Sequence, residues 1–435
     1  MASKISIPVA VAVGLGAIIG AGIFVLSGTA VAIAGGYALL AFILVGFIAL
    51  LVSLEIGELS SLMPNETGAS YSFVFRAFGS ELGFITGILL FFSYASSISV
   101  ISLGFGSYLS SVLNLPTEFN IPFAILLIFV LSILNILGIK KAAKADSLLV
   151  AIKVSILVLF IIAALFIAFS HHTFSIINFS KPEGNITLAI FSASVAIFFA
   201  YSGFQSISTF TSKIKGRNGA AKAIVIATSI SLVLYVLVVF ALLSLMPASA
   251  YKINADPLSF ALLRVHAPSW IFVLVDIGAL IATTSASIAM ILSSSRILYQ
   301  MGKDRLLPRL FRNYNSQKDV AINGVIASSI IGVVMLFSGN IYTIAAISNF
   351  GLLFSYLMTS FAFLHFRRLG KKSSFTAPFY PYLPLITIFL LFVLMLGMPK
   401  IALTLGVILI ILLISIYYTL RELKMKKPVA IRLFD

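Results

Sequence analysis

Residues Gly14 to Phe24 read GLGAIIGAGIF, an apolar stretch near the start of the chain that glycine interrupts repeatedly. Gly16 and Gly20 lie in the middle of this run, where each glycine costs a helix about 1 kcal/mol relative to alanine. They can serve close packing of two helices through a small-xxx-small face, or they can mark a break in the helix. Broken backbone at membrane depth is tolerated only inside the protein or beside a cavity, and its amides can hold an anion.

The composition places the chain in a lipid bilayer. Of its 435 residues 60% are hydrophobic and 10% are charged, whereas the surface of a soluble domain needs about 25% charged residues. The first apolar run exceeds the length of a signal-peptide core, so we interpret it as a span that is retained. Because cysteine is absent, disulfides, thiolate catalysis and cysteine metal sites are excluded, and no metal or cofactor is predicted.

Apolar runs between polar or glycine- and proline-containing breaks predict an all-α, polytopic membrane protein with twelve transmembrane helices and short connections. Residues 1–435 are predicted to form a single transmembrane domain. The predicted spans are residues 8–33, 36–63, 82–112, 121–138, 146–169, 187–211, 220–246, 269–299, 320–338, 341–366, 379–398 and 400–420.

The basic residues predict the orientation of these spans. The net charge is +16, and 24 of the 29 lysines and arginines fall in the connections of one side, four fall on the other side, and Lys153 lies inside a span. By the positive-inside rule the basic side is cytoplasmic, so both termini are predicted to face the cytoplasm of a cell-membrane protein. The basic excess is therefore topological, and nucleic acid is not a predicted partner.

A second glycine-interrupted stretch lies in the sixth predicted span, where residues Phe198 to Gln205 read FFAYSGFQ. Its position in the second group of five spans matches that of Gly14 to Phe24 in the first group. Paired interruptions at corresponding positions of two halves are a sequence sign of a transporter substrate site. This pairing favours a functional break over simple helix packing.

Four stretches carry a resemblance to the amino acid–polyamine–organocation (APC) family. Gly14 to Phe24 resembles the GxxIGxGIF signature of that family's first helix. GELSSLMPNETGASYSFVFRAFGSELGFITG, from Gly57 to Gly87, is similar to its AEL, P-x-x-GG-x-Y and FG-x-x-GF-x-x-G pattern. AYSGF at Ala200 to Phe204 resembles YxGFE, and SRILYQMGKDRLLP at Ser295 to Pro308 resembles SR-x-LY-x-MA-x-DG-x-LP.

The resemblance implies a leucine-transporter-type fold with two inverted five-helix repeats, residues 8–169 and 187–366, and two additional helices in residues 379–420. Helices 1 and 6 would be unwound, and the carboxylate of an amino acid would bind the amides freed at the break in helix 1. Its ammonium would meet carbonyls near Ile18, Phe199 and Ser202, while Phe199 and Tyr201 line a side-chain pocket, act as a gate or simply pack. The implied substrate site comprises Ile18, Gly20, Ala21, Gly22, Phe199, Ala200, Tyr201, Ser202 and Gly203.

Two departures from the family pattern concern gating and a loop. The glutamate of YxGFE is Gln205 here, so proton- or charge-linked gating by this residue, as in relatives with the glutamate, does not carry over directly. The asparagine-proline usual after the sixth helix is missing from KIKGRNGAAKA at residues 213–223. The second departure affects a connection rather than the site.

Lys153 lies about 10 Å into the fifth predicted helix, where an ionisable group is costly. It can snorkel to the interface, or it can carry a proton. In some proton-coupled members of the family a lysine at this position occupies the place of a sodium ion. The resemblance therefore implies that the Lys153 ammonium lies against carbonyls near Gly16–Gly20 and against hydroxyls of the eighth helix, namely Thr283, Thr284 and Ser285.

Two acids lie towards the cytoplasmic end of the second span. Glu58 matches the family's second-helix acid, and Glu55 is one turn earlier. For both, a structural ion pair or an inner gate is favoured over a transport site. With Gln205, Glu58 is a predicted gating residue.

The sequence thus predicts a secondary amino acid transporter, proton-coupled and working by alternating access, and not an enzyme. The predicted partners are an amino acid substrate, protons and the lipid bilayer. An exchanger, or a carrier of amines or polyamines, is the alternative within the class. A receptor that binds an amino acid without moving it is the alternative outside it, and the uncharged pocket favours a neutral substrate.

Overall fold

The computed structural model describes residues 5–138, 142–182, 184–251 and 255–422. Within these ranges the chain is helical, and strand pairing is limited to two isolated bridges. The all-α prediction is confirmed for this part of the chain. The chain ends, residues 1–4 and 423–435, and the lysines Lys140, Lys141 and Lys252 lie outside the described residues, although they contributed to the charge count.

The first half of the described chain contains eight α-helices. Glycine ends several of them, and Gly79, with a φ of 86°, makes the tight turn between the fourth and the fifth. The helices are α1 (Ile7–Ile18), α2 (Ala21–Ala34), α3 (Ala38–Leu62), α4 (Ser70–Phe78), α5 (Ser80–Val112), α6 (Asn120–Leu137), α7 (Ala142–Ser170) and α8 (Ile186–Phe198).

The second half begins with a long 3₁₀ helix, Phe199–Lys213, that continues directly from α8. Short 3₁₀ turns also occur in several connections. The remaining α-helices are α9 (Gly219–Leu245), α10 (Pro257–Arg264), α11 (Ser269–Lys303), α12 (Ile322–Met335), α13 (Ile341–Arg368), α14 (Tyr382–Leu396) and α15 (Lys400–Glu422).

Each of the twelve predicted spans coincides with a helix or with two consecutive helical pieces. The largest differences in bounds are four residues, at Ala142 against a predicted 146 and at Lys303 against a predicted 299. Nine helical stretches of the described residues are long and apolar enough to cross a membrane, and one of them runs from Gly22 to Leu62. Three more apolar helices are shorter, so the number of crossings stays a prediction: Ile7–Ile18, Ile322–Met335 and Tyr382–Leu396.

Two short helices, α4 and α10, lie where connections were predicted. They have nine and eight residues, far fewer than the roughly 20 that a membrane span needs. A search for long apolar runs therefore does not detect them. Six consecutive residues of α4, Ser70 to Phe75, are buried. These connections are therefore folded parts of the molecule.

Large apolar side chains cover the outer helices. Phe166 of α7 is 72% exposed, Phe389 of α14 is 65% exposed and Phe129 of α6 is 63% exposed. Contiguous apolar surface on this scale is not tolerated in water, and it matches a hydrocarbon solvent. The interior of the bundle is formed by α1, α2 and the 3₁₀ helix, which are surrounded by α3, α5, α9, α11 and α13.

Candidate functional site

The first helical interruption lies in the centre of the bundle. α1 ends at Ile18 and α2 begins at Ala21, and Gly20 between them has φ −136° and ψ −140°, outside the helical region. No side chain caps the start of α2. The first N–H groups of a helix have no acceptor within that helix, so the amides of Ala21 and Gly22 form a partly positive end beside the carbonyl end of α1. The predicted break in the first span is confirmed.

The sixth predicted span is not unwound, contrary to the prediction. After Phe198 the backbone changes from α to 3₁₀ winding, and it stays helical through Lys213 before it becomes extended at Ile214. A 3₁₀ run of 15 residues is long, because its hydrogen-bond geometry is poorer than that of an α-helix. A 3₁₀ helix is also narrower, and this segment passes close to α1 and α2.

Two glycines allow that close passage. A Cβ atom on Gly22 would lie 2.2 Å from the Cα of Ala200, and a Cβ on Gly203 would lie 2.2 Å from the carbonyl carbon of Ala17. Neither position has room for a side chain, because the obstacle in each case is backbone. The two glycine-interrupted stretches that the sequence singled out are therefore packed directly against each other.

A tyrosine that the sequence analysis missed joins the two stretches. The hydroxyl of Tyr235, on α9, lies 2.8 Å from the carbonyl oxygen of Ile18 and 3.2 Å from that of Ala200. Its ring meets that of Tyr201 with centroids 5.0 Å apart. A buried tyrosine hydroxyl normally finds a partner, so a lone tyrosine in the apolar run SLVLYVLVVF was a signal that could have identified it.

A second tyrosine reaches the other side of the same region. Tyr356, on α13, donates its hydroxyl to the carbonyl of Ser202 at 3.3 Å. The residues of the predicted substrate site are brought together, and those whose burial is described, all but Ala21, are buried; Phe199, for example, is only 4% exposed. The Ile18 carbonyl also accepts the Gly20 amide at 2.9 Å, so with the Tyr235 hydroxyl both of its lone pairs are in use.

Lys153 points into the bundle rather than towards the membrane interface. Its side chain is fully buried, and its ammonium donates to the carbonyl of Gly16 at 2.6 Å and lies 3.5 Å from the hydroxyl of Ser285. Snorkelling is therefore excluded. Of the predicted neighbours, Gly16 and Ser285 meet the ammonium, while the hydroxyls of Thr283 and Thr284 donate to carbonyls of their own helix.

The two predicted gating residues hold structural contacts. Glu58 forms an ion pair with Arg367 of α13 at 2.6 Å and accepts the Ala377 amide at 2.6 Å, as the structural alternative anticipated. Gln205 is buried and accepts a hydrogen bond from Ser70 of α4 at 2.9 Å, which ties the 3₁₀ helix to α4. A role of either residue in gating stays a prediction.

Comparison with known proteins gives the chain a family. A model of the family described as amino acid permease matches residues 5–420. The methylthioribose transporter of Bacillus subtilis (strain 168) is 28% identical over 406 residues, which cover 86% of this chain and 84% of that protein. The branched-chain amino acid permease BcaP of the same organism is 26% identical over 95% of this chain and 92% of its own length.

The mitochondrial cationic amino acid transporter 3 of Arabidopsis thaliana is 27% identical over 84% of this chain, and the match spans 62% of that longer protein. These relatives are transporters and not enzymes, and they differ in the substrates they are named for. With its many apolar helices the chain is a multi-pass membrane protein, and because the family match spans nearly its whole length, it belongs to the amino acid permease family.

Proposed function

We propose that this protein is a proton-coupled amino acid transporter of the cell membrane that works by alternating access. The observation that carries the proposal is the helix break at Gly20, packed against the 3₁₀ helix, with a buried lysine on the carbonyl of Gly16 beside it. Two of the three relatives described above are named for amino acids. Twelve crossings, two inverted repeats over residues 8–169 and 187–366, and both termini in the cytoplasm belong to the same proposal.

The chemistry of the break suits a zwitterion. The carboxylate of the substrate binds the amides of Ala21 and Gly22, because the start of α2 carries partial positive charge. The ammonium binds the carbonyls of Ile18, Phe199 and Ser202. Opposite charges of one small molecule thus meet opposite helix ends that only Ile19 and Gly20 separate in the chain, and no charged side chain is needed.

Proton coupling is assigned to Lys153. In its charged form the ammonium holds the last turn of α1 through the Gly16 carbonyl, two residues before α1 ends. When the amine gives up its proton, the charge-assisted hydrogen bond becomes a weaker neutral one. The end of α1 is then released from α7, and this change couples the proton to the conformation of the break.

The substrate side chain meets aromatic and small residues. Phe199 and Tyr201 follow α8 directly, and the neighbouring Gly22, Ala200 and Gly203 leave little room. This lining favours a neutral amino acid over an amine or a polyamine, since it offers no carboxylate to pair with a second ammonium. Exchange of one amino acid for another remains the alternative within the transporter class.

Uptake into proteoliposomes tests the proposal. A panel of labelled neutral, acidic and cationic amino acids, with putrescine and methylthioribose as non-amino-acid members, is offered with and without an inward proton gradient. We expect uptake of at least one neutral amino acid above protein-free liposomes, with the gradient increasing its accumulation. Uptake that requires a preloaded amino acid identifies exchange, and saturable binding without flux contradicts transport in favour of a receptor.

A further inference from the structure

Glu55 is a buried acid for which the proposed transport mechanism has no use. It lies in α3, seven residues before the helix ends at Leu62 and hence about 10 Å from that end. Its side chain is fully buried. The carboxyl group faces α13 and α14, where Ser360 and Thr387 approach it.

Among the residues that the structure describes, no cation pairs with the Glu55 carboxyl group. None of the ion pairs in the described residues includes Glu55. The charge that acts on it is of like sign and belongs to Glu58, one turn further along α3. The guanidinium of Arg367, on α13, forms its ion pair with Glu58 and also donates to the carbonyl of Ala377. An ionised Glu55 would therefore be a buried charge without a counter-ion.

The hydroxyl groups around Glu55 already have acceptors for their protons. The Ser360 hydroxyl lies 3.2 Å from the carbonyl of Tyr356 one turn earlier, and it lies 2.5 Å from Oε2 of Glu55. The Thr387 hydroxyl donates to the carbonyl of Leu383 at 2.8 Å. A hydroxyl has one proton and two lone pairs, so both groups can accept a hydrogen bond from a protonated carboxyl while they serve their own helices.

We propose that Glu55 is a proton-binding site, separate from Lys153, at which a carboxylic acid donates a hydrogen bond to Ser360. In this form every donor of the group has an acceptor and no charge is buried. The short Oε2–Oγ distance suits an O–H donor. Release of the proton reverses the bond, because the Ser360 hydroxyl then turns from the Tyr356 carbonyl to the carboxylate.

The site is connected to the substrate region through α13. Ser360 shares its hydroxyl with the Tyr356 carbonyl, and the Tyr356 side chain donates to the carbonyl of Ser202 in the 3₁₀ helix. The charged group that acts on Glu55 is Glu58 of α3, while α13 contributes the hydroxyl of Ser360 and α14 that of Thr387. The protonation of Glu55 does not depend on what the protein transports. The effect of that proton on uptake rests on the proposed function.

Infrared difference spectroscopy tests directly whether the Glu55 carboxyl group is protonated. Spectra of the purified full-length protein in lipid at pH 7 are recorded for wild type and for Glu55→Gln, in water and in D₂O. We expect the difference to contain the C=O stretching band of a carboxylic acid, sensitive to deuteration. A difference that contains only carboxylate bands would overturn the proposal. Glu58→Gln is the matched control, one turn away, and it should remove carboxylate bands because Glu58 is ion-paired.

Ser360→Ala keeps the test decisive if Glu55→Gln does not fold. It removes the acceptor and leaves the acid in place, so the carboxylic-acid band of Glu55 should move to higher wavenumber. An unchanged carboxylic-acid region together with shifted carboxylate bands would show that Glu55 is ionised. Either result decides the protonation state without reference to transport.

Uptake measurements then separate this inference from the proposed function. Glu55→Gln presents a permanently neutral amide that can donate to Ser360, so its uptake should fall less steeply between pH 7 and pH 9 than that of wild type. The same pH profile in both proteins would refute the link to the substrate region. If wild type takes up no member of the panel, the transport proposal fails while the infrared result stands. If wild type shows gradient-driven uptake but Glu55 is ionised, the transport proposal stands and the inference about Glu55 fails.

Discussion

A lysine ammonium inside a membrane protein is stable only where oxygen atoms of the protein replace its water. For Lys153 these include the Gly16 carbonyl and the Ser285 hydroxyl. We predict that Lys153→Ala reduces gradient-driven accumulation of the substrate to background, because the change removes the group that takes up and releases the proton. Accumulation that still follows an imposed pH gradient in this variant would contradict the assignment.

The control for this change is a lysine of the same chain outside the bundle. Lys222 is exposed near the start of α9, and Lys222→Ala should retain gradient-driven uptake. Substrate binding to Lys153→Ala at equilibrium separates two causes of lost uptake. Retained binding locates the defect in coupling, while lost binding together with a lower thermal unfolding temperature locates it in folding.

Tyr235 connects the carbonyl end of α1 with the start of the 3₁₀ helix by one hydroxyl. We predict that Tyr235→Phe lowers the free energy of unfolding by about 1 kcal/mol and weakens substrate binding about fivefold. Tyr251→Phe is the matched control, since Tyr251 is buried and donates to a carbonyl, that of Leu242. It should lose similar stability in thermal unfolding but keep the substrate affinity of wild type.

At the scale of elements, the contact between the two interrupted segments is made by backbone. We predict that Gly203→Ala costs about 1–3 kcal/mol of stability and abolishes uptake, because its Cβ would lie 2.2 Å from the Ala17 backbone. Gly332→Ala on α12 meets its nearest neighbour, a methyl group of Ile98, at 3.3 Å, so it should be tolerated. Equal uptake by the two variants would show that the segments are not closely packed in the working protein.

The end of the 3₁₀ helix at Lys213 is tied to α11 through Asp319 by charge. Asp319 accepts hydrogen bonds from Tyr314 and lies 3.2 Å from Arg296 and 3.4 Å from Lys213. Partial burial acts to raise the pKa of Asp319, but the Tyr314 hydrogen bond and the two cations outweigh it and hold that pKa below its usual range. The same end of the 3₁₀ helix pairs with the start of the chain, since the Ile5 amide donates to the Lys213 carbonyl at 2.9 Å.

A carboxyl with a lowered pKa stabilises the fold above its unfolded pKa of about 3.9, and this contribution is lost as the pH falls through its lower folded pKa. We therefore predict that wild type exceeds Asp319→Asn in unfolding temperature by a constant amount from pH 8 to about pH 5. The difference should shrink below about pH 4. A difference that grows towards low pH would mean that Asp319 is not ionised by its cationic neighbours.

The sequence predicted the elements far better than their contacts. Hydropathy placed the helices to within four residues, because a span must be apolar over its whole length. Glycine at position 20 predicted the break, since the backbone leaves the helical region at Ile19 and Gly20. The winding after Phe198 could not be predicted, because it depends on how closely the segment passes Ala17. The Tyr235–Ile18 and Tyr356–Ser202 bonds join residues more than 150 positions apart, and no local pattern encodes them.

At the scale of the whole molecule, the orientation rests on the distribution of 29 basic residues, part of which lies outside the described chain. The helical bundle itself would look the same in either orientation. A direct assignment of the orientation needs a chemical label that reaches only one side of the membrane. Because the sequence contains no cysteine, a single introduced cysteine is the only thiol in the chain that the label can modify.

Ser249 and Ser316 are suitable positions, since both are exposed and lie in connections that the charge pattern assigns to opposite sides. We predict that a membrane-impermeant maleimide labels Ser249→Cys in intact cells, because the connection between α9 and α10 faces outwards. Ser316→Cys, between α11 and α12 among basic residues, should be labelled only after the membrane is permeabilised. The opposite pattern would invert the molecule and place both of its termini outside the cell.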